Sequence, residues 1–293
     1  LISALMLLSA CTESVDNAAR QDQLPKIFPD YIGVTIPENI APMNFCVDDN
    51  IEKIDVTVRG SNGGEMHVQD DYADFDIDEW HSIVSQNKGG KLTFSVCVKK
   101  GGQWLRYNDF TMTVSQYDMP DYALTYRRIA PGYEVYSKMG LYERRLDNFD
   151  ERALIENTQV PGMCVNCHTS CKTNPDNYVF HIRGDHGGTL FKTGQKTEIL
   201  KAKNDSIKGS MVYPYWHPSG KYCTFSTNMT RQGFHMVKDE RVEVFDLSSD
   251  IFVYDVEKHE VIVDTLLSTK QYSENSPVLS ADGRTLYYIT SLQ

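Results

Sequence analysis

Residues Pro161 to Cys171 read PGMCVNCHTSC, with three cysteines and one histidine between positions 164 and 171. Cys164, Cys167 and His168 form C-x-x-C-H, the spacing of a covalent c-type haem attachment. Two thiols three positions apart suit the two vinyl groups of one haem, and the adjacent imidazole reaches the iron. Such an iron needs a sixth ligand or an open position, which sets its potential and reactivity. FHIRGDHGGTLF supplies His181 and His186 a short way downstream. His186 is the preferred partner, because Gly187 and Gly188 beside it let backbone approach a planar cofactor; His181 belongs to the strand-like YVFHI. Arg183 is a candidate for a haem propionate, or else it pairs with a surface acid such as Asp185. With His168 and His186 as the two metal ligands the centre would transfer electrons at low potential. An open position would bind ligands or peroxide.

Other chemistries fit the same residues. Cys171 extends the run to C-x2-C-H-x3-C, and three thiolates with one imidazole can hold zinc tetrahedrally. Two of the three cysteines can instead bridge at the base of a loop, the third pairing with Cys223 or staying free. A thiol redox centre normally stands at a helix start after a strand. Here Pro161-Gly162 precedes the cluster and the loop-like KTNPDN follows it. His217 in YWHPSG reads as part of a structural turn packed with Trp216. The sequence carries no G-x-S-x-G elbow, H-E-x-x-H zinc motif or phosphate-binding loop; this weakens hydrolase and nucleotide-dependent readings, leaves catalysis assembled from distant loops open, and assigns no catalytic residue.

Compartment decides which of these chemistries is open. The chain begins LISALMLLSAC: Leu1 to Ala10 is apolar or small, too short to span a bilayer as a helix but suited to the core of an export signal. Leu8-Ser9-Ala10-Cys11 resembles the lipobox of bacterial lipoproteins. That resemblance implies cleavage before Cys11, lipid on the new terminal cysteine, and a home in the cell envelope on the periplasmic side of the outer membrane. Disulfides persist there. The formal charge of −11 lies wholly outside residues 1–10 and argues against a nucleic-acid partner.

The elements around the cysteines follow from periodicity. Residues 12–42 read as tether and irregular lead-in. Over 43–117, Ile54/Val56/Val58, Leu92/Phe94/Val96/Val98 and Phe110/Met112/Val114 alternate, with Gly-Gly pairs between the runs. This predicts a β-sandwich-like domain, with Cys46 and Cys97 as a possible bridge. The acidic DDYADFDIDE (70–79) reads as a strand or extended loop with a wet face rather than a calcium loop. In the 118–160 connector, Leu141, Leu146, Phe149 and Leu154 suggest short helices, and Asn148 with Glu151 suggests a cap. From 161 to 293 the texture is repetitive. YPYWHPSGKYCTFST lies over SPVLSADGRTLYYIT at a shift of 63 residues, placing Pro214 on Pro277, Gly220 on Gly283 and Phe225 on Tyr288. A fainter match at 49 residues lays Asn166-Cys167-His168 over Tyr215-Trp216-His217. Met229 to Ser249 reads as an insertion.

WHPSGKY and SADGRTLYY resemble the WD40-like repeats of TolB-type periplasmic propellers. With FPDY…PENIAPMNF, TYRRIAPGYE, CVNCH, FHIRGDHGGT, YPYWHPSGKY and SDIFVYD, the chain is similar to Bacteroidetes TolB-like lipoproteins labelled as cytochrome-c-related. The resemblance implies a mostly β protein: an N-terminal β-sandwich-like domain, a short helical connector and a β-propeller. Closed propellers need four to eight blades, and two or three are visible here, so the chain is expected to be part of a longer one. Two functions follow as expectations. One is an envelope lipoprotein with covalent haem c, acting in electron transfer or haem-based sensing with a redox partner. The other is a non-enzymatic scaffold recognising an envelope protein or glycan, with the cysteines structural.

Overall fold

The computed structural model describes residues 12–47, 50–117, 119, 123–130, 138–159 and 162–292. Cys11, Pro161 and most of APGYEVY lie outside the described residues. The protein is mostly β, with one α-helix among the described residues. The chain divides into two compact units, Leu1–Asp121 with Leu146–Phe149, and Tyr122–Arg145 with Asp150–Gln293. No described helix is long and apolar enough to cross a membrane.

The first unit is built on strands β1 (Lys53–Gly60), β2 (Glu65–Asp70), β3 (Lys91–Lys100), β4 (Gln103–Arg106) and β5 (Phe110–Val114). β3 pairs with β1 along one edge, and with β5 and then β4 along the other. Two-residue strands at Ala19–Arg20 and Thr35–Ile36 complete a seven-stranded sheet. The alternating apolar residues do what their period requires: Ile54, Val56, Val58, Leu92, Phe94, Val96, Val98, Met112 and Val114 are all fully buried.

The covering layer differs from the expected sandwich. It is made by α1 (Ile77–Gln86) and a short ribbon, Ile27–Phe28 with Cys46–Val47. Asp76 caps α1 by accepting from the backbone N–H groups of Asp78 and Glu79, both at 3.0 Å. Trp80, Ile83 and Val84 fall on one helical face and are buried. Trp80 stacks on Phe75 with ring centroids 5.4 Å apart, and its Nε1 donates to Ile40 O at 3.1 Å. The acidic stretch is solvated as expected: its carboxylates are exposed while Ala73 and Phe75 are buried. Its second half starts the helix instead of continuing a strand.

The second unit is a succession of antiparallel meanders. β6 (Ala123–Ile129), β7 (Met139–Arg145) and β8 (Glu151–Glu156) form the first sheet. The described part of the connector is therefore mainly strands, with a single 3-10 turn at Asn157–Gln159, where short α-helices were expected. Leu141 lies in β7, Leu154 in β8, and Glu151 pairs with Arg128 at 2.9 Å in place of capping a helix. The physical reason is the two-residue alternation of Met139 and Leu141, which buries both in the core shared with the next sheet.

That next sheet is β9 (Cys164–Ser170), β10 (Asn177–Arg183), β11 (Gly188–Thr193) and β12 (Lys196–Leu200). β13 (Ser210–Trp216), β14 (Tyr222–Phe234), β15 (Val242–Asp255) and β16 (Glu260–Ile262) follow in sequence order, then β17 (Tyr272–Leu279) with β18 (Leu286–Leu292). The leading strands β9, β13 and β17 are neighbours in turn. The 63-residue repeat is structural. Gly220 and Gly283 take φ of +74° and +72° in matching turns, closed by their N–H groups on His217 O and Ser280 O at 2.8 and 2.9 Å. The expected insertion is a lengthened β14–β15 hairpin, paired out to Phe234 and Val242.

Phe94 is 0 % exposed and stacks on Phe110 at 4.8 Å, whereas Phe234 is 76 % exposed. Phe94→Ala is expected to destabilise the first unit by about 3–5 kcal/mol. Phe234→Ala is expected to change stability by less than about 0.5 kcal/mol. Denaturant unfolding curves of both variants check this contrast.

Candidate functional site

The cysteine motif lies on β9, in a hairpin with β10. Cys164 pairs with Arg183, Val165 with Ile182 and Asn166 with His181 before the register breaks at Cys167-His168. The break is a β-bulge, and Cys167 sits in it at φ +51°. β13 breaks at Tyr213-Pro214 and β17 at Ser276-Pro277, with φ of +49° at Tyr213 and +52° at Ser276. Three successive leading strands thus carry one left-handed, non-glycine residue at the same place. The bulges align Cys167 with Tyr213 at a shift of 46 residues, which corrects the 49-residue match. That match laid histidine on histidine. In the fold His168 takes the place of Pro214 and Pro277, and Cys171 takes that of His217.

Of the cluster's side chains, His168 and Cys171 are taken up within the fold. His168 Nε2 meets the Thr125 carbonyl oxygen at 3.2 Å, where only an N–H can bond, and burial lowers the imidazole pKa below its usual value. The six described cysteines are all free thiols. Along an extended strand, residues three apart are separated by about 10 Å, beyond the roughly 4.4–6.8 Å Cα span of a disulfide. Cys46 is exposed, with its thiol on Phe28 O at 3.4 Å, while Cys97 is buried; the expected bridge between them is not formed. Cys171 and Cys223 are buried in one apolar cluster, and burial raises both thiol pKa values. Among the described residues no three His, Cys, Asp or Glu side chains converge on a metal position, so the zinc set is not assembled.

The expected haem ligands are likewise apart in role. His186 is exposed on the β10–β11 turn. Gly188 serves packing, since a Cβ there would lie 2.6 Å from the Ile199 side chain. Arg183 is exposed at the end of β10, opposite Cys164. His168 Nε2 is held by Thr125 and is not free for an iron in this arrangement, while His181 has its Nδ1 engaged with Thr189. His217 lies in a turn, with Nδ1 and Nε2 2.7 Å from Ser219 Oγ and 3.1 Å from Gly283 O and its ring edge-on to Tyr222.

What the strands do assemble is a pocket of about 390 Å³ beside the first bulge. His181, Thr189 and Met211 line it together with Gly184, Gly187 and Gly188, and Arg183, Asp185, Lys201, Lys203 and Ser210 bring polar groups. Its size falls at the small end of ligand sites. His181 is 5 % exposed. Thr189 Oγ1 donates its one proton to Met211 O at 3.1 Å, so at 3.1 Å from His181 Nδ1 it accepts. This fixes the proton on Nδ1 and leaves the lone pair on Nε2. Burial, followed by the Arg183 charge, pulls the imidazole down to about 4.

A second polar group stands at the bulges of β13 and β17. Asp246 accepts from Asn228 and Asn275 at 3.2 and 3.3 Å, and Ser226 Oγ reaches Asn228 and Asn275, each at 2.9 Å. Tyr213 has its pKa raised by desolvation first, then by Cys167 and Asp246, against a lowering from Arg183. Sequence reasoning named His181 and Arg183. It missed Thr189, Lys201, Lys203, Ser210, Tyr213, Asp246 and Asn275. The repeated proline at 214 and 277 was the signal for the bulges; the lysines carried none. The chain matches no protein-family model, no curated protein and no solved structure.

The buried neutral His181 makes the fold acid-sensitive. Its folded pKa of about 4 lies below the ordinary imidazole value of 6.5. The unfolded chain therefore binds the proton more readily, and stability is present above pH 6.5 and lost as pH falls towards 4. The loss is about 3 kcal/mol. A His181→Phe variant is expected to flatten that part of the stability–pH curve measured by denaturant unfolding. Cys164→Ser and Cys167→Ser are expected to leave the melting temperature within a few degrees, because neither thiol is bridged or fully buried.

Proposed function

We propose that this chain is a non-enzymatic binding module of the bacterial cell envelope, made of propeller-like sheets and anchored through a lipidated Cys11. The observation that carries the reading is the pocket beside the first bulge. Buried, tautomer-fixed His181 lines it, while the motif histidine is spent on Thr125. The stacked meanders and the 63-residue repeat support the propeller-like reading. So does the resemblance of WHPSGKY and SADGRTLYY to TolB-like lipoproteins. Envelope placement rests on the LLSAC lipobox and the apolar leader. The partner in this reading is a ligand, glycan or protein of the envelope. Nucleic acid is disfavoured by the charge of −11.

Covalent haem c at Cys164, Cys167 and His168, giving electron transfer or haem-based sensing, is the second reading. Its support is the C-x-x-C-H spacing in a chain with an export signal. The two readings part in one experiment. Co-expression with the cytochrome-c maturation machinery is expected to yield a colourless protein with no Soret band and the mass of the bare polypeptide. A Soret band with added haem mass would overturn the binding-module reading.

A further inference from the structure

We infer that the pocket between the β10–β11 hairpin and the start of β13 binds a small hydroxylated polycarboxylate. The inference rests on the binding-module reading and names the ligand class of that pocket.

The argument starts from charge. Arg183, Lys201 and Lys203 line the pocket against one carboxylate, Asp185, and all four are exposed. Among the described residues none of the three cations is in an ion pair with a carboxylate. In a chain of charge −11 this is a local excess of positive charge. Cations placed around a concave mouth with low-dielectric walls attract a multiply charged anion. A monoanion would leave most of that charge unanswered.

The pocket's buried side adds a different demand. His181 Nδ1 is committed to Thr189, and Thr189 is committed to Met211. The remaining ring nitrogen, Nε2, keeps its lone pair, so a ligand group that bonds to it has to be a donor. Carboxylate oxygens cannot supply that donor at neutral pH; a hydroxyl can. The walls from Gly184, Gly187 and Gly188 present backbone, and Leu200, Ala202 and Met211 give an apolar side. A volume of about 390 Å³ suits a compact ligand rather than an extended chain. Two or more carboxylates near the lysines and arginine, with one hydroxyl directed at His181, satisfy each group.

Citrate and tricarballylate differ by that hydroxyl alone and make the test direct. Calorimetric titration of the full chain is run in metal-free buffer at low salt and at about 0.15 M. Citrate is expected to bind about fivefold more tightly than tricarballylate, the effect of one hydrogen bond. Lactate and inorganic phosphate are expected to bind much more weakly than citrate. The surface double variant Lys201→Ala/Lys203→Ala is expected to weaken both tricarboxylates at least tenfold and to flatten the salt dependence. His181→Phe is expected to abolish the preference for citrate; should it not fold, the comparison of the two ligands on the wild-type chain carries the same information. Equal binding of citrate and tricarballylate, tighter binding of phosphate, or an unchanged double-lysine variant overturns the assignment. No binding of any anion by a folded, haem-free chain also overturns it and leaves the binding-module reading standing, whereas a Soret band removes both.

Discussion

Neighbouring residues of one strand, Val179 and Phe180, are both buried, and they face opposite ways. Phe180 belongs to the core shared with Met139 and Leu141 of the sheet before it. Val179 belongs to the core shared with Met211, Trp216 and Phe225 of the sheet after it. A sheet apolar on both faces needs a neighbour on each side, and this constraint orders the whole second unit. The polar bonds between sheets follow from it. Trp216 Nε1 donates to Thr169 O at 3.2 Å, Thr189 Oγ1 to Met211 O at 3.1 Å, and the Thr125 and Ser170 hydroxyls meet at 2.7 Å. The contact that fixes the His181 tautomer is one of these ties, so stacking and site formation are the same event.

The bulges are a second consequence. A left-handed conformation costs a non-glycine residue roughly 1–2 kcal/mol, yet Cys167, Tyr213 and Ser276 all adopt it. Three different side chains in one backbone state point to a demand of the strand position and not of the residue. After Tyr213 and Ser276 comes proline, which has no N–H and is tolerated where a bulge has already broken the ladder. His168 occupies that place in β9 and sends its ring to Thr125 instead. The histidine of the motif is therefore explained by its sheet position, as its two proline counterparts are.

Much of this was legible from period and repeat. Alternation at Ile54, Leu92 and Phe110 marked the strands of the first sheet, and Pro214 over Pro277 marked the repeat. Two kinds of signal were not legible. One was local ambiguity. Phe75 and Ile77 alternate like a strand, while Trp80, Ile83 and Val84 follow a helical period, and Asp76 stands at the switch. Leu141 and Leu154 are too few and too far apart to distinguish helix from hairpin. The other was topology. His181 and Arg183 stood out beside the cysteines, but Lys201, Lys203, Ser210 and Met211 reach them only because β12 ends and β13 begins next to the β10–β11 turn.

Environment then decides which of the conspicuous residues keeps its chemistry. A thiol reacts as thiolate. Burial raises Cys171 and Cys223, and burial with the Asp55 charge raises Cys97 to about 11, so these three stay protonated at neutral pH. His168 has its Nε2 donating to a backbone oxygen. Burial acts on His181 in the opposite functional sense. By holding the imidazole neutral it preserves a lone pair across the physiological range, where an exposed histidine would begin to titrate, and the Thr189 hydroxyl places that lone pair on Nε2. The cysteine-rich stretch supplies a strand and, through Cys171, part of the core, and one strand over His181 keeps a neutral imidazole with a lone pair on Nε2.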